Sequence, residues 1–330
     1  MKKFLMVALC MMIFVSCGKK EVYKGVESSV KVDRIKKMDS HNKYTDKLKN
    51  SEFIQKLYGD KIVVLKDGKN FIYDDSKDEL VQLDDGYGIH DVDKKDYLLY
   101  KSDESFASKL MIKSDDEMKN LTSTEHISDA KLSDKNVYAM VLRSDSPIKF
   151  FECEIFRNNN DAFESTGKIG KLIKNDKSIM YMHYEKEKLT VKDMDDKEIF
   201  SRDLTEDEFP IDVVMNNKDV FYSLYDFKTG NSRLYKNDKL IMESTIKGYE
   251  NVLKRFKVSK KYMTWLDNKI AYNLEKDKLV FFEDAKDDTM IVPIGDSVYS
   301  LKIKNSIGMF NDDTIKFKGM WKVLCISSSW

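Results

Sequence analysis

Proline and glycine are scarce in this chain, three and thirteen in 330 residues. Its turns must therefore rest on Asn, Asp and Lys-Asp pairs, whose side chains hydrogen-bond nearby backbone. Histidine and cysteine number four each. The imidazoles stand far apart at 41, 90, 126 and 183, and no CxxC or Cys/His cluster occurs, so no metal is expected. An excess of either charge is missing too. With 57 basic and 57 acidic side chains there is no basic footprint for nucleic acid. Beyond residue 15 no apolar run approaches membrane-spanning length. G-x-S-x-G, P-loop, GxGxxG, HExxH and EF-hand patterns are all absent, so neither a cofactor nor catalysis is the leading expectation.

One apolar run is present, at the start. Met1-Lys2-Lys3 precedes twelve mostly apolar residues, Phe4 to Val15, and Ser16-Cys17 follows. A basic segment, a short apolar segment and a small residue are the plan of a secretory signal. Phe14-Val15-Ser16-Cys17 resembles the bacterial lipobox, departing from it in having Phe14 where leucine is usual. The resemblance implies a diacylglyceryl group on the Cys17 thiol and cleavage before it, with the body held outside the cytoplasm on a bacterial membrane. Residues 1–16 are then the signal peptide. Residues 17–50, rich in Lys, Glu, Asp and Ser, are expected to be a lipidated cysteine and flexible tether. Residues 51–330 form the folded domain. Removal of the signal leaves 55 basic and 57 acidic side chains, still near neutrality. Cys10 leaves with the signal, and Cys153 and Cys325 are read as buried small apolar residues, with pairing open.

The body reads as all-β. Seven apolar runs recur, at Ile62–Leu65, Tyr97–Tyr100, Val137–Met140, Ile179–Met182, Val220–Ser223, Tyr262–Trp265 and Val298–Leu301. Their starts lie 35 to 42 residues apart, and a polar pair such as Lys95-Asp96 or Lys218-Asp219 precedes each. Most runs have an upstream companion (Ile89 to Val92, Ile127 to Leu132, Ile169 to Ile173, Ile211 to Met215) and downstream ones such as Lys188 to Val191 and Glu198 to Phe200. Four short antiparallel strands per forty-odd residues is the unit of a β-propeller blade, whose two apolar faces are buried only by stacking blades around an axis. Seven sets predict seven blades; six, or eight with the region before Ile62, also fit. Phe53-Ile54 and Leu57-Tyr58 are spaced like a short helix, which leaves the first blade a strand short. The segment Trp321 to Ile326 is expected to complete it and close the ring.

Arg233-Leu234-Tyr235-Lys236-Asn237-Asp238 and Lys188-Leu189-Thr190-Val191-Lys192-Asp193 resemble the repeats of the TolB-like and YWTD-like extracytoplasmic propellers of bacteria. The resemblance is architectural and transfers no functional residue. His183, in Tyr181-Met182-His183-Tyr184, is the candidate channel-facing side chain. Acidic pairs at 84–85, 115–116, 195–196 and 312–313 are read as turn residues, not acid–base pairs. These features point to a non-catalytic binding or scaffolding lipoprotein for a protein or peptide partner. An envelope-polysaccharide hydrolase or lyase and a solute-binding lipoprotein are the alternatives.

Overall fold

The computed structural model describes residues 20–36 and, with gaps at 59–60, 68, 75–76, 84–85, 103–107, 115–116, 122–126, 142–152, 160–161, 177, 246–255, 266–268, 286–288 and 295, residues 53–302. Every element among them is a strand. Three precede the ring: β1 (Lys20–Tyr23), β2 (Val26–Ser28) and β3 (Val32–Ile35). Blade 1 is β4 (Phe53–Tyr58), β5 (Lys61–Lys66), β6 (Lys69–Asp74) and β7 (Glu79–Gln82). Blade 2 is β8 (Gly88–Asp93), β9 (Asp96–Ser102), β10 (Ser108–Ser114) and β11 (Glu117–Leu121). Blade 3 is β12 (Ile127–Ser133), β13 (Asn136–Val141), β14 (Glu154–Asn159) and β15 (Ala162–Ile169). Blade 4 is β16 (Lys171–Asn175), β17 (Ser178–Glu185), β18 (Lys188–Asp193) and β19 (Glu198–Asp203). Blade 5 is β20 (Glu208–Asn216), β21 (Asp219–Asp226), β22 (Asn231–Lys236) and β23 (Lys239–Ser244). Blade 6 is β24 (Lys257–Val258), β25 (Tyr262–Thr264), β26 (Ile270–Asn273) and β27 (Lys278–Phe282). A hairpin of β28 (Thr289–Ile294) and β29 (Ser297–Lys302) follows.

This is a β-propeller of six four-stranded antiparallel blades among the described residues. In each of the six blades the apolar run of the repeat falls on the second strand, flanked on both sides within the blade. Its two faces are covered by neighbouring blades, which is why Ile62, Val63 and Val64, or Val220, Phe221 and Tyr222, are buried in succession. The cores lie between blades. Leu98, Leu110 and Ile112 of blade 2 meet Ala130, Leu132 and Val137 of blade 3. Met182 and Val191 of blade 4 meet Val213 and Tyr222 of blade 5. At ~1.5–3 kcal/mol for each large apolar side chain fully buried, these interfaces dominate the fold's stability.

Three sequence expectations are corrected. Phe53–Tyr58 is a strand, not a helical turn. A bulge between Ile54 and Lys56 shifts the side-chain phase, so the two apolar pairs fall four apart. Blade 1 therefore has four strands of its own and needs none from elsewhere to complete it; the segment 321–326 lies outside the described residues. Residues 20–36 of the expected tether are ordered on the ring. The β1–β2 hairpin extends the outer edge of blade 5 through β2 and β23, and β3 extends blade 6 in parallel with β27. The alternating Val22, Val26, Val30 and Val32 explain it, since Val22 and Val26 are buried in the core between blades 5 and 6.

The hairpin connectivity sorts the connections onto two ends of the axis. On one, here the lower face, lie the turns that join first to second and third to fourth strands. These are two to four residues long. Lys94, Asp134, Asp176, Asn217 and Asn237 take left-handed conformations there, the role glycine is too scarce to fill. The strand ends between which the connections longer than four residues run all lie on the upper face.

Candidate functional site

Around the axis the innermost strands repeat one device. A bulge follows Ile89, Ile127 and Pro210, and the residues after it, Asp91, Asp129 and Asp212, occupy the same register. Asp91 accepts a hydrogen bond from the backbone N–H of Leu132 in the next blade at 2.8 Å, and Asp212 accepts one from Phe256 at 2.9 Å. Cations answer them. Lys174 Nζ reaches from blade 4 to Asp91 of blade 2 at 3.0 Å, Lys131 pairs with Asp129 at 2.8 Å, and Lys171 pairs with Asp212. Burial opposes the charge on Lys131, yet the carboxylates of Asp129 and Asp91 outweigh it and hold the ammonium above its ordinary range. Among the described residues each of the three carboxylates has an ammonium partner, and the Lys174–Asp91, Leu132–Asp91 and Phe256–Asp212 contacts tie blades together.

His90 is packed inside this network, its ring 4.4 Å from that of Tyr100 and its Nδ1 3.7 Å from Asp129. The Tyr100 ring lies where a Cβ on residue 88 would stand, which requires Gly88. His183 sits on β17, the second strand of blade 4, with Nδ1 3.0 Å from the Ile169 carbonyl and Nε2 3.3 Å from Glu185. Of the acidic pairs, Asp196 is held by Lys168 and Tyr181, whose hydrogen bonds keep its carboxyl below the usual range. Asp193 binds the N–H groups of Asp195 and Lys197 as a turn aspartate does. Residues 84–85, 115–116, 312–313, His41, His126, Cys17 and Cys325 lie outside the described residues. Cys153 is buried, its Sγ 3.6 Å from the Ser128 hydroxyl. Among the described residues no group of three or more His, Cys, Asp or Glu could hold a metal.

The features that stand out on the upper face are at blades 4 and 5. Phe227 is 64% exposed, the most exposed large apolar side chain among the described residues. The turn that presents it is fixed. Its N–H donates to the Asp207 carbonyl at 2.8 Å, Asp226 accepts from the Thr229 N–H at 2.8 Å, and Gly230 supplies the left-handed residue with φ 73°. Tyr225 and Phe209 flank Phe227 with ring centroids 5.2 and 6.1 Å away, and Tyr184 meets Phe209 edge-on at 5.6 Å. Arg233 stands in the same blade end, 22% exposed, and binds Asp226 at 2.9 Å, Glu243 at 3.0 Å and Glu208 at 3.2 Å. Burial pushes the Asp226 carboxyl up, but hydrogen bonds from Thr229 and the Arg233 charge hold it below the usual range. Among the described residues three carboxylates thus surround one guanidinium. An aromatic ladder on a fixed turn can hold an apolar side chain.

Neither feature was found by looking for catalytic motifs. The axial aspartates do carry a sequence signal, an Asp two residues after Ile in Ile89-His90-Asp91 and Ile127-Ser128-Asp129. Phe227 carries none, because nothing in its local pattern separates an exposed turn aromatic from the many buried ones.

The fold and this geometry define the chain as a β-propeller with a loop-bearing upper face. No family model matches it, and no curated protein matches it either. Among solved structures it is similar to the tricorn protease, at 10% identity and TM-score 0.44, over 73% of this chain and 27% of that one. It is also similar to the acylaminoacyl peptidase of Pyrococcus horikoshii, at 11% identity and TM-score 0.44, over 67% and 42%. Hsv2 of Kluyveromyces lactis matches at 11% identity and TM-score 0.39, over 72% and 85%. The chain thus spans about a quarter of the tricorn protease and two fifths of the peptidase, and none of the three lends it an activity.

Proposed function

We propose that this chain is an extracytoplasmic lipoprotein, anchored through a lipid on Cys17, whose propeller holds a protein or peptide partner on its upper face. The observation that carries the reading is Phe227, 64% exposed on a rigid turn within an aromatic ladder. A lone exposed apolar residue needs no explanation, but a pre-ordered aromatic beside partly buried carboxylates has the composition of an interface centre. The partner segment is one with an apolar anchor that the Phe227, Tyr225 and Phe209 rings would cover.

The ring is completed by a seventh blade, of which β28 and β29 are the first two strands. Ile291 and Val298 pack against Ala271, Val280 and Phe282 of blade 6 as one blade packs on the next. The test of the binding role is site-specific photo-crosslinking in intact cells at native expression. A reactive group at 227 is expected to give a reproducible adduct that a reactive group at 118 does not. No adduct at 227 would count against the binding role.

A further inference from the structure

The strap formed by β1, β2 and β3 says how such an anchor would hold the ring. β1 runs from Lys20, opposite Ser28, to Tyr23, and Ser28 in turn lies opposite Met242 in β23. Traced backward from Tyr23 to Lys20, the chain heads along the rim of blade 5 toward the lower face. Cys17 is three residues before Lys20. Even fully extended, three residues reach only ~10 Å. A lipid on Cys17 therefore cannot stand off from blade 5 by the length of a thirty-residue tether.

The strap also differs in charge from the rest. Residues 18–37 hold seven Lys and Arg against three Asp and Glu, whereas residues 38–330 hold 48 against 54. Among the described strap residues Lys24, Lys31, Arg34 and Lys36 are exposed. Staples fix the strap in place. Arg34 donates to the Val22 carbonyl at 3.1 Å and lies over the Phe281 ring, Lys278 pairs with Asp33, and Ser29 N–H donates to the Ile241 carbonyl at 2.9 Å.

We infer that the strap is a membrane-facing surface: its basic rim, from Lys31 at the lower end to Lys24 and Lys36 at the upper end, seats the outer edges of blades 5 and 6 side-on against anionic lipid headgroups. This rests on the lipoprotein reading for Cys17. Basic groups attract an anionic leaflet within about one Debye length, ~10 Å at 0.1 M salt, the same distance the three-residue link allows. Blade 2, across the ring, stays clear of the bilayer.

The test uses the full lipidated chain in a Cys325→Ser background, reconstituted in vesicles of phosphatidylcholine alone or with phosphatidylglycerol. Single fluorophores are placed at Ser29→Cys on the strap and at Met118→Cys on the outer strand of blade 2. Headgroup-bound spin labels then report proximity. The Ser29 site is expected to be quenched several-fold more than the Met118 site, and more strongly with phosphatidylglycerol present. Lys24→Glu with Lys31→Glu should abolish that lipid dependence, and an unchanged thermal melt shows that the variants are folded. Equal quenching at both sites, with mass spectrometry showing lipid on residue 17, overturns the seated strap and leaves the anchor standing. No lipid on residue 17 overturns both.

Discussion

Blades 2 and 5 are built on the same four-stranded plan and finish differently. Blade 2 ends at β11, whose first four residues are exposed and whose outer edge no strand covers among the described residues. Blade 5 continues past β23 into β2 and β1, buries Val22 and Val26, and carries the Arg233 cluster at its upper end. An open edge is tolerated on a short, charged strand such as Glu117-Met118-Lys119-Asn120. The extra strands on blade 5 are therefore an added function of that side, not a requirement of the blade. They convert the start of the chain from a spacer into part of the fold.

Four outcomes would break or sharpen this contrast. The largest effect is expected from Val22→Asp with Val26→Asp, which buries two unpaired carboxylates between blades 5 and 6. Urea unfolding should show a loss of ~4 kcal/mol or more, against ~0.5 kcal/mol or less for Met118→Asp on the open edge. Next is Asp212→Ala, which strands Lys171 and the Phe256 N–H at the axis; it should cost ~3 kcal/mol in the same assay. Lys171→Met combined with it should cost less than the two singles summed, because the pair acts as one unit.

The third concerns pH. In the folded chain Asp277 is held below the usual carboxylate range, first by hydrogen bonds from Lys236 and Tyr272, and Asp226 by Thr229 and Arg233 against the opposing effect of burial. The unfolded chain binds these protons more tightly. The stability they contribute is therefore full above the ordinary carboxylate pKa and is lost as pH falls through the lowered folded values. Urea midpoints should drop from pH 5 toward pH 2 and be flat from pH 6 to pH 8 in this respect. Arg233→Ala should flatten the Asp226 share of that slope while lowering stability at neutral pH by ~2 kcal/mol. The smallest effect on stability belongs to Phe227→Ala, within ~0.5 kcal/mol, yet it should weaken partner crosslinking on the upper face most.

Much of the fold was legible because it repeats. In the six blades the apolar run falls on the second strand of the sheet, where burial on both faces forces a near-continuous apolar sequence. The first strands were harder. They sit at the axis, half polar and bulged, so Phe53–Tyr58 mimics helical spacing and Asp91, Asp129 and Asp212 look like solvated charges until the next blade is seen beside them. The strap was missed for a similar reason. Its valines are interleaved with Lys, Glu and Ser, and they become core only because the edge of blade 5 is there to receive them. His183 stands on the second strand of blade 4, and its ring Nδ1 lies 3.0 Å from the Ile169 carbonyl, a contact that local sequence does not carry. The Phe227 site depends on which turns share a face, a relation between blades that spacing along the chain does not carry.

The most direct measurement is fractionation of a Cys17→Ser variant, with the melting curve of whatever is recovered. The anchor reading predicts that the body leaves the membrane fraction and melts as the wild type does, because Val22 and Val26 dock on blades 5 and 6 whether or not a lipid precedes them. A Cys17→Ser chain that stayed uncut in the membrane would contradict the anchor, and one released but melting far below the wild type would contradict the docked strap.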